Sequence, residues 1–541
     1  MLTYGWRASL WVIIILALTL MGCDGQHQSQ GIYEANAKDI SPGTPIMPKP
    51  VVDNTPTLTP LALPEVGLPT NLPSFSSGSA PGFKKSRHSK QQNRNRHWIL
   101  HWHEMALTAT GIDHMPPVYR VLATHEQFGP LRASRAMAII HIALFEAVNA
   151  IEGGYESYID LAPNSRASMQ AAIAQAAHDT LAALFPSQTP SFDAELVQEL
   201  ASIPEGDAKL QGIELGAEAA QKILDLRLND GSNHAEPVIG VDFIESLDPG
   251  KWRQDPISMV PIALGALWYQ VEPFVMDDAN QFRAPTPPEL ISMAYTNAYN
   301  EVKSLGGDGV VTPTIRTQEQ TEIGIFWAYD GTPSLCAPPR LYNQIITQLA
   351  SDEGLSFMEL ARLLALANVA MADAGIAVWE SKYYYQVWRP VTGIRESDAG
   401  TGPSGLGDGN PDTVGDLTFS PLGAPASNLN GPNFTPPFPA YPSGHAGFGG
   451  AVFHMLRHIL RKDAIPFTFV SDEWNGITRD NQGNIRPLKP RSFDSLSEAE
   501  EENGQSRIYL GIHWSFDKTE GIAMGRRVAD LVLERLFKPN R

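Results

Sequence analysis

The stretch RASRAMAIIHIALFEAVNA, residues 132–150, decides the fold class of this chain. Its apolar residues recur at intervals of three and four positions, which is the period of an α-helix and not of a β-strand. No run of alternating β-branched residues predicts a sheet. We therefore expect an all-α fold, because the same helical pattern continues outward in residues 167–184, 208–228, 289–305, 338–349 and 356–388.

Two long stretches interrupt the helical pattern. Residues 398–437 are dense in Gly, Pro and Asn, and residues 471–494 form the second break. Loops of this length inside a compact domain are more often functional than idle. We expect the helices to form two halves, residues 97–280 and residues 281–541, with the chemistry in the second half.

Composition limits the partners of the chain. Its 541 residues are 43% hydrophobic and 18% charged, as in ordinary globular proteins, and its formal net charge is −19. A phosphate backbone requires a basic face, so we expect no nucleic-acid partner. An acidic chain can still hold an anion where a few Lys and Arg side chains converge in one cleft.

The N-terminus predicts export. Arg7 precedes a short apolar run, residues 10–21, which suits a signal peptide better than a membrane span. The run ends in Leu-Met-Gly-Cys23, which resembles a bacterial lipoprotein cleavage site. We expect a signal peptide over residues 1–23 and a lipid anchor at Cys23, with an ordinary signal peptide as the alternative.

A linker is expected to follow the signal peptide. Residues 24–96 are Pro-rich at first and basic from Lys84, without a sustained apolar period, so we expect them to be a disordered tether. The predicted location is the periplasm or the cell surface, or the medium if Cys23 carries no lipid. Only one further cysteine exists, Cys336, so no disulfide framework is available.

Three separated segments of the second half carry groups that suit a tetrahedral oxyanion. In the first, KYYYQVWRP, Lys382 and Arg389 lie seven residues apart. At about 100° per residue both would return to one helix face, roughly 10 Å apart along it. Pro390 should end that helix near Arg389. Taken alone, this pair of cations also fits a solvated surface.

The second segment, YPSGH, covers residues 441–445 and leads into a helical run. Free backbone N–H groups and the positive end of the helix dipole would meet there. Gly444 lets an anion approach the backbone closely, Ser443 offers a hydroxyl, and His445 titrates near neutral pH. A plain helix cap with a partly exposed His445 is the alternative.

The third segment, SRIYLGIHWSFD, covers residues 506–517. Asp517 lies four positions after His513 and could hold its Nδ1–H, which would leave Nε2 basic and free for covalent work. Arg507 adds a forked guanidinium that can bridge the oxygens of an anion. A core histidine that is ion-paired by chance is the alternative.

Together, KxxxxxxRP, PSGH and SRxxxGxHxxxD resemble the three-part signature of one superfamily. That superfamily contains type-2 phosphatidic acid phosphatases, bacterial acid phosphatases and vanadium-dependent haloperoxidases. Every position of the signature is present here, in order. Because three joint matches by accident are very improbable, oxyanion binding is the conclusion that the sequence supports best.

The residues that flank the signature resemble the chloroperoxidase branch of the haloperoxidases. Trp379 lies three residues before the first signature position, and Phe438 lies five residues before the Ser of PSGH. The stretches FWAYDG, residues 326–331, and PRLYN, residues 339–343, are similar to that branch as well. The resemblance implies a fold of two four-helix bundles.

The resemblance also implies a vanadate cofactor, with phosphate able to occupy the same site. His513 would be the vanadium ligand, and Asp330 would brace Arg507. The remaining roles implied are anion binding by Lys382, Arg389, Ser443, Gly444 and Arg507, a halide position beside Trp379 and Phe438, and catalysis by His445, Lys382, His513 and Asp517.

The implied reaction is the oxidation of chloride or bromide by hydrogen peroxide to hypohalous acid, with or without an organic acceptor. One alternative is an exported acid phosphatase in which His513 forms a phosphohistidine and His445 protonates the leaving alcohol. A more remote one is a lipoprotein that binds phosphate without turnover. The apolar wall of Trp379 and Phe438 suits a weakly hydrated halide. The absence of expected membrane spans in the mature chain argues against the membrane-embedded lipid phosphatases.

Overall fold

The computed structural model describes residues 59–60, 90–115 and 126–540. The expected signal peptide, Cys23 and most of the expected linker lie outside these residues. Helix α1 begins at Lys90, inside the expected linker, because Arg96 ties this part of the chain to the folded unit. Its guanidinium donates to the carbonyl of Leu355 and to the Ser351 hydroxyl, each at 2.8 Å.

The described residues form thirteen α-helices and four short strands, so the all-α prediction is confirmed. The strands make two antiparallel ribbons, β1 with β2 and β3 with β4. Each strand has only two or three residues, which is too short to leave an alternating pattern in the sequence. The elements are α1 (Lys90–Asp113), α2 (Gly129–Glu152), α3 (Met169–Leu184), α4 (Thr189–Ala201), α5 (Asp207–Leu226), α6 (Met293–Leu305), α7 (Gln318–Phe326), α8 (Pro338–Asp352), α9 (Phe357–Tyr385), α10 (Pro390–Arg395), α11 (Gly444–Leu460), α12 (Leu496–Tyr509) and α13 (Ser515–Arg535), with β1 (Thr59–Pro60), β2 (Leu429–Asn430), β3 (Phe467–Phe469) and β4 (Arg491–Phe493).

Helices α1 to α5 pack around α3, and helix α2 joins this group to the rest of the molecule. Nearly every residue of α2 is buried, because one side of the helix packs on α3 and α5 and another packs on α9. By length and composition α2 and α9 could each cross a membrane, but 89% and 94% of their most apolar windows are buried inside the protein. They are therefore read as core helices.

Helices α9, α11, α12 and α13 form the second group. Glycines allow α11 and α13 to approach closely: a Cβ added at Gly525 would lie 2.1 Å from the carbonyl oxygen of Gly447. The backbone N–H of Ser443 donates to the carbonyl of Asp517 at 2.9 Å and ties the beginnings of the two helices together. This crossing brings the second and third sequence segments side by side.

Most helix bounds differ from the sequence prediction by one to three residues, and two differences have a clear local cause. Helix α6 begins at Met293, where the Ser292 side chain caps it, and not at residue 289. Helix α9 ends at Tyr385, before Arg389, because Gln386 adopts a left-handed conformation with a φ of 53°. The segment after α9 then accepts hydrogen bonds from other parts of the chain. The Trp252 N–H donates to the Gln386 carbonyl, and the Ala440 N–H donates to the Val387 carbonyl. Pro390 begins helix α10 instead of ending α9.

Candidate active site

The three sequence segments meet at one buried site in the second helical group. Lys382 comes from the last turn of α9, and Arg389 caps the beginning of α10. Helix α11 presents its first turn, and α12 and α13 frame the third segment. The residues that line the resulting pocket include Asp330, Trp379, Phe438, Gly444, His445, Arg507 and His513.

Lys382 and Arg389 are not neighbours on one helix face, so that part of the prediction is wrong. A turn separates them after Tyr385, and both side chains are buried, which excludes a solvated surface pair. The Lys382 ammonium donates to the carbonyls of Pro439 and Ala440 at 2.8 and 2.9 Å. Burial, with Arg389 nearby, holds the pKa of Lys382 well below its usual value.

Arg389 links the first segment to the third. Its Nε donates to the carbonyl of Phe438, and its Nη1 donates to the carbonyl of Ile512, both at 2.8 Å. Nη1 also lies 2.9 Å from Nε2 of His513. Burial lowers the pKa of Arg389 to about 9, and Asp517 opposes that shift.

His513 has the orientation that its spacing from Asp517 predicts. Its Nδ1 lies 2.7 Å from Oδ2 of Asp517, which also accepts the N–H of Trp514 at 3.0 Å. Burial, followed by the charge of Arg389, holds the pKa of His513 well below its usual value. Burial raises the pKa of Asp517 to about 7. A neutral imidazole with its proton on Nδ1 therefore leaves the lone pair on Nε2.

The turn at Gly511 lets α12 and α13 place Arg507 and His513 together. Gly511 has a φ of 73°, and a Cβ there would lie 2.4 Å from the carbonyl oxygen of Gly306. The position therefore needs both the left-handed conformation and the missing side chain. This gives a structural reason for the glycine in the third segment.

His445 lies in the first turn of α11 and is buried. Its Nε2 donates to the carbonyl of Ala328 at 2.5 Å and lies 3.9 Å from Oδ1 of Asp330. Burial, with Arg507 nearby, holds the pKa of His445 well below its usual value, so the ring is neutral. Since Nε2 carries the proton in this arrangement, Nδ1 is the nitrogen that can accept one. The partly exposed His445 that the sequence left open is excluded.

Helix α11 begins at the cap that the PSGH pattern predicts. The Ser443 hydroxyl accepts the N–H of Ala446 at 3.5 Å, and Gly444 is the first helical residue. A Cβ at Gly444 would lie 3.0 Å from the Trp379 ring, so a larger residue would crowd this wall of the pocket.

Arg507 is braced by Asp330, whose two carboxylate oxygens accept from Nη2 at 2.7 and 2.8 Å. Burial raises the pKa of Asp330, and Arg507 opposes that shift. The other N–H groups of Arg507, on Nε and Nη1, are buried without a hydrogen-bond partner among the described residues, and so is Nη2 of Arg389. Unpaired buried guanidinium donors are costly, and a tetrahedral oxyanion supplies the acceptors that they lack.

Two aromatic rings border this charged cluster. The Trp379 and Phe438 rings lie 4.8 Å apart between centroids, and Trp379 is fixed by an N–H bond to the Leu264 carbonyl at 3.1 Å. The Lys382 ammonium lies 5.2 Å from the Phe438 ring and 5.5 Å from the Trp379 ring. The predicted halide position at this wall stays a prediction.

The sequence did not predict the backbone carbonyls that orient the side chains of the site. It also did not predict the two residues that hydrogen-bond to the first turn of α11. The Tyr342 hydroxyl donates to the carbonyl of His445 at 2.8 Å, and the Asn503 amide donates to the same oxygen at 3.1 Å. Tyr342 falls in the PRLYN stretch, and Asn503 lies four residues before Arg507 on α12. The four-residue spacing of Asn503 and Arg507 places both on one face of α12, and this spacing could have predicted that Asn503 lies near the site.

Comparisons with known proteins relate this chain to vanadium haloperoxidases. The family model of the VCPO second helical-bundle domain matches residues 362–540. Vanadium chloroperoxidase from Curvularia inaequalis is 29% identical over 530 residues, which cover 81% of this chain and 82% of that protein. The predicted resemblance is confirmed.

Solved structures show the same fold. The first bacterial vanadium-dependent iodoperoxidase has a TM-score of 0.63 at 23% identity and covers 81% of this chain and 96% of its own. A holo-type bacterial vanadium-dependent chloroperoxidase has a TM-score of 0.54 at 17% identity and covers 77% of this chain and 93% of its own. The predicted helical-bundle architecture is therefore confirmed.

Proposed function

We propose that this chain belongs to the vanadium haloperoxidase family, to whose second helical-bundle domain residues 362–540 are similar, and that it oxidises chloride or bromide with hydrogen peroxide to hypohalous acid. The observation that carries the proposal is the set of three buried guanidinium nitrogens on Arg389 and Arg507 that have no hydrogen-bond partner among the described residues. They lie beside a neutral His513 and a pocket with an aromatic wall. This combination suits an oxyanion cofactor next to a weakly hydrated substrate.

Vanadate fits these residues. His513 would bind it through Nε2, which keeps its lone pair because Asp517 holds the proton on Nδ1, and Nη1 of Arg389, which lies 2.9 Å from Nε2, would then donate to the anion instead. Its oxygens would be held by Lys382, Arg389, Ser443, the Gly444 N–H and Arg507. When bound, vanadate supplies Lewis-acid activation of hydrogen peroxide without a change in its own oxidation state.

The protein's own groups would manage the protons and the substrates. His445 is neutral and buried, and its Nδ1 can accept a proton from hydrogen peroxide because Nε2 is already committed to the Ala328 carbonyl. Trp379 and Phe438 form an apolar boundary that favours a weakly hydrated halide over water. The Lys382 ammonium lies 5.5 Å from the Trp379 ring and 5.2 Å from the Phe438 ring, where it would attract the halide toward the reacting oxygen.

The decisive experiment starts from protein stripped of oxyanions by dialysis. Vanadate is added, and bromination of a phenol-type dye is followed with and without hydrogen peroxide. We expect peroxide-dependent bromination that requires vanadate and that excess phosphate suppresses by competition. Hydrolysis of p-nitrophenyl phosphate without bromination would instead establish the phosphatase alternative. Oxyanion binding without either activity would establish the non-catalytic one.

Export and a lipid anchor at Cys23 remain proposals that rest on the sequence alone. They are consistent with a product, hypohalous acid, that is reactive toward cytoplasmic thiols. Metabolic labelling with a fatty acid, compared between wild type and Cys23→Ser, tests them. Equal labelling of the two chains would argue against the anchor.

A further inference from the structure

A short turn in the loop that follows β3 contacts the chain beside the active site, and the proposed function gives this turn no role. This turn, residues 471–473, makes three hydrogen bonds to the chain before Asp330. The Ser471 hydroxyl donates to the carbonyl of Phe326 at 2.6 Å, and the Asp472 N–H donates to the Tyr329 hydroxyl oxygen at 2.6 Å. The Tyr329 N–H donates to Oε1 of Glu473 at 3.3 Å.

The segment that this turn holds contacts the site at two points. The carbonyl of Ala328 accepts from His445, and the carboxylate of Asp330 accepts from Arg507. These residues are the immediate neighbours of Tyr329 on either side. A rotation of the backbone at Tyr329 would therefore move both contacts at once.

Tyr329 has a conformation that needs support. Its φ is 44°, in the left-handed region where a residue other than glycine costs about 1–2 kcal/mol. Such a conformation persists where the surroundings fix it. Both polar ends of Tyr329 are fixed by the same turn, its N–H by Glu473 and its hydroxyl by Asp472.

Glu473 is fully buried, and its charge is balanced by Arg486. Its Oε2 accepts from the Ser427 hydroxyl at 2.6 Å and from Nη1 of Arg486 at 2.5 Å. The charged groups that face it are Arg486 and Asp330. Burial raises its pKa to about 7, Arg486 opposes the shift, and Asp330 adds to it.

We infer that Glu473 is a positioning residue for the oxyanion site. Its carboxylate holds the Tyr329 N–H, which fixes the Ala328 carbonyl and Asp330, and these in turn orient His445 and Arg507. The inference rests on the proposed function only for the choice of vanadate as the probe.

Two double variants distinguish the loss of the hydrogen bond to Tyr329 from the loss of the buried charges and from a loss of stability. Glu473→Met with Arg486→Met removes both buried charges and the acceptor for Tyr329. Glu473→Gln with Arg486→Met removes the same charges but keeps a carbonyl oxygen that can accept the Tyr329 N–H. Replacing a buried ion pair as a whole is often neutral for stability, so both variants should fold. Thermal unfolding of each apoprotein checks this.

The measurement is the Kd of vanadate for each apoprotein by calorimetry. We expect about tenfold weaker binding in the Met/Met variant, as for the loss of one hydrogen bond that orients charged groups. The Gln/Met variant should stay within about twofold of wild type, because a twofold change is worth less than one hydrogen bond. Equal affinities in the two variants, whether changed or unchanged, would overturn the inference. The inference would also be overturned if the Met/Met variant did not fold and the Gln/Met variant folded but did not bind vanadate.

The outcome is separable from that of the proposed function. A wild-type chain that binds vanadate but brominates nothing would refute the haloperoxidase proposal and leave the comparison of the two variants intact. A wild-type chain that binds neither vanadate nor phosphate would overturn both.

Discussion

Replacing Lys382 with Met should improve the stability of the oxyanion-free protein while it weakens oxyanion binding. The ammonium is fully buried, its only hydrogen-bond acceptors among the described residues are the two carbonyls of Pro439 and Ala440, and Arg389 lies nearby. Methionine has a similar length and no charge. The variant therefore removes the charge with little change in packing.

Opposing contributions decide the change in stability. Losing two hydrogen bonds from a charged group to carbonyls costs about 1.5–3 kcal/mol each, whereas an incompletely paired buried cation carries a penalty of several kcal/mol, to which the nearby charge of Arg389 adds. We expect the free energy of unfolding of the apoprotein at neutral pH to equal or exceed that of wild type. Because the folded pKa of Lys382 lies below the unfolded one, the unfolded chain binds more protons between the two values. Wild-type stability should therefore rise with pH up to about 10.4 through this residue, and the variant should lack that rise.

The affinity for vanadate should change in the opposite direction. A unit charge about 4 Å from an anionic oxygen is worth about 4 kcal/mol at an effective dielectric constant of about 20. Desolvation, which also lowers the pKa of Lys382, offsets part of this and leaves about 2–3 kcal/mol, or about 30- to 150-fold in Kd. Calorimetric titration of each apoprotein with vanadate measures it.

The matched control is Lys209→Met, which removes a mostly buried lysine from α5, far along the chain from the site segments. It should leave the vanadate affinity unchanged. Folded Lys382→Met protein that binds vanadate within about threefold of wild type would refute the role of this ammonium in anion binding. Lower apoprotein stability than in wild type would refute the electrostatic argument separately.

Three other changes test different parts of the account. His513→Ala should abolish vanadate-dependent bromination and weaken vanadate binding at least a hundredfold, about 2.7 kcal/mol, as measured by steady-state rates and calorimetry. Phe438→His should retain bromination but change the ratio of kcat/KM for chloride and bromide; a fall in all rates to the level of His513→Ala would contradict the halide wall. Gly525→Ala should lower the free energy of unfolding by at least about 2 kcal/mol, as expected for overpacking, because its Cβ would lie 2.1 Å from the Gly447 oxygen; urea unfolding at wild-type stability would show that α11 and α13 can separate without cost.

Sequence patterns predicted the elements that chemistry and periodicity mark directly. The pairing of His513 with Asp517 followed from helical spacing, and the cap at Ser443 followed from residue type. The signature predicted that Lys382 and Arg389 belong to the site, but it did not predict how they are arranged. The turn at Gln386 depends on bonds to Trp252 and to other distant residues, which no local pattern contains.

The contacts that orient the site were less accessible to prediction for a related reason. Backbone carbonyls such as those of Ala328 and Pro439 accept from His445 and Lys382, and every residue has such a carbonyl. Residue type therefore cannot reveal them. Only the fold, which brings loops before α8 and α11 against the helix ends, determines which carbonyls face the site.

The anion-binding groups by themselves do not distinguish phosphoryl transfer from halide oxidation. An oxyanion held at His513 would accept from the same donors of Arg389 and Arg507 in either reaction. The difference must therefore come from what can stand beside the anion. Here the pocket is bordered by Phe438 and Trp379, with further apolar residues, Pro436, Pro437 and Phe448, around them.

Among the described residues, these five side chains offer no free hydrogen-bond donor to the polar leaving group of a phosphate ester, since the Trp379 N–H is bonded to the Leu264 carbonyl. A halide, in contrast, needs only to lose its weakly held water and can rest against ring edges, where the quadrupole is positive. The nearby Lys382 ammonium supplies the attraction that the rings lack, at 5.2 Å from Phe438. The preference for halide in the proposed function therefore depends on this combination of an apolar wall and one adjacent cation, and not on the oxyanion donors that both reactions share.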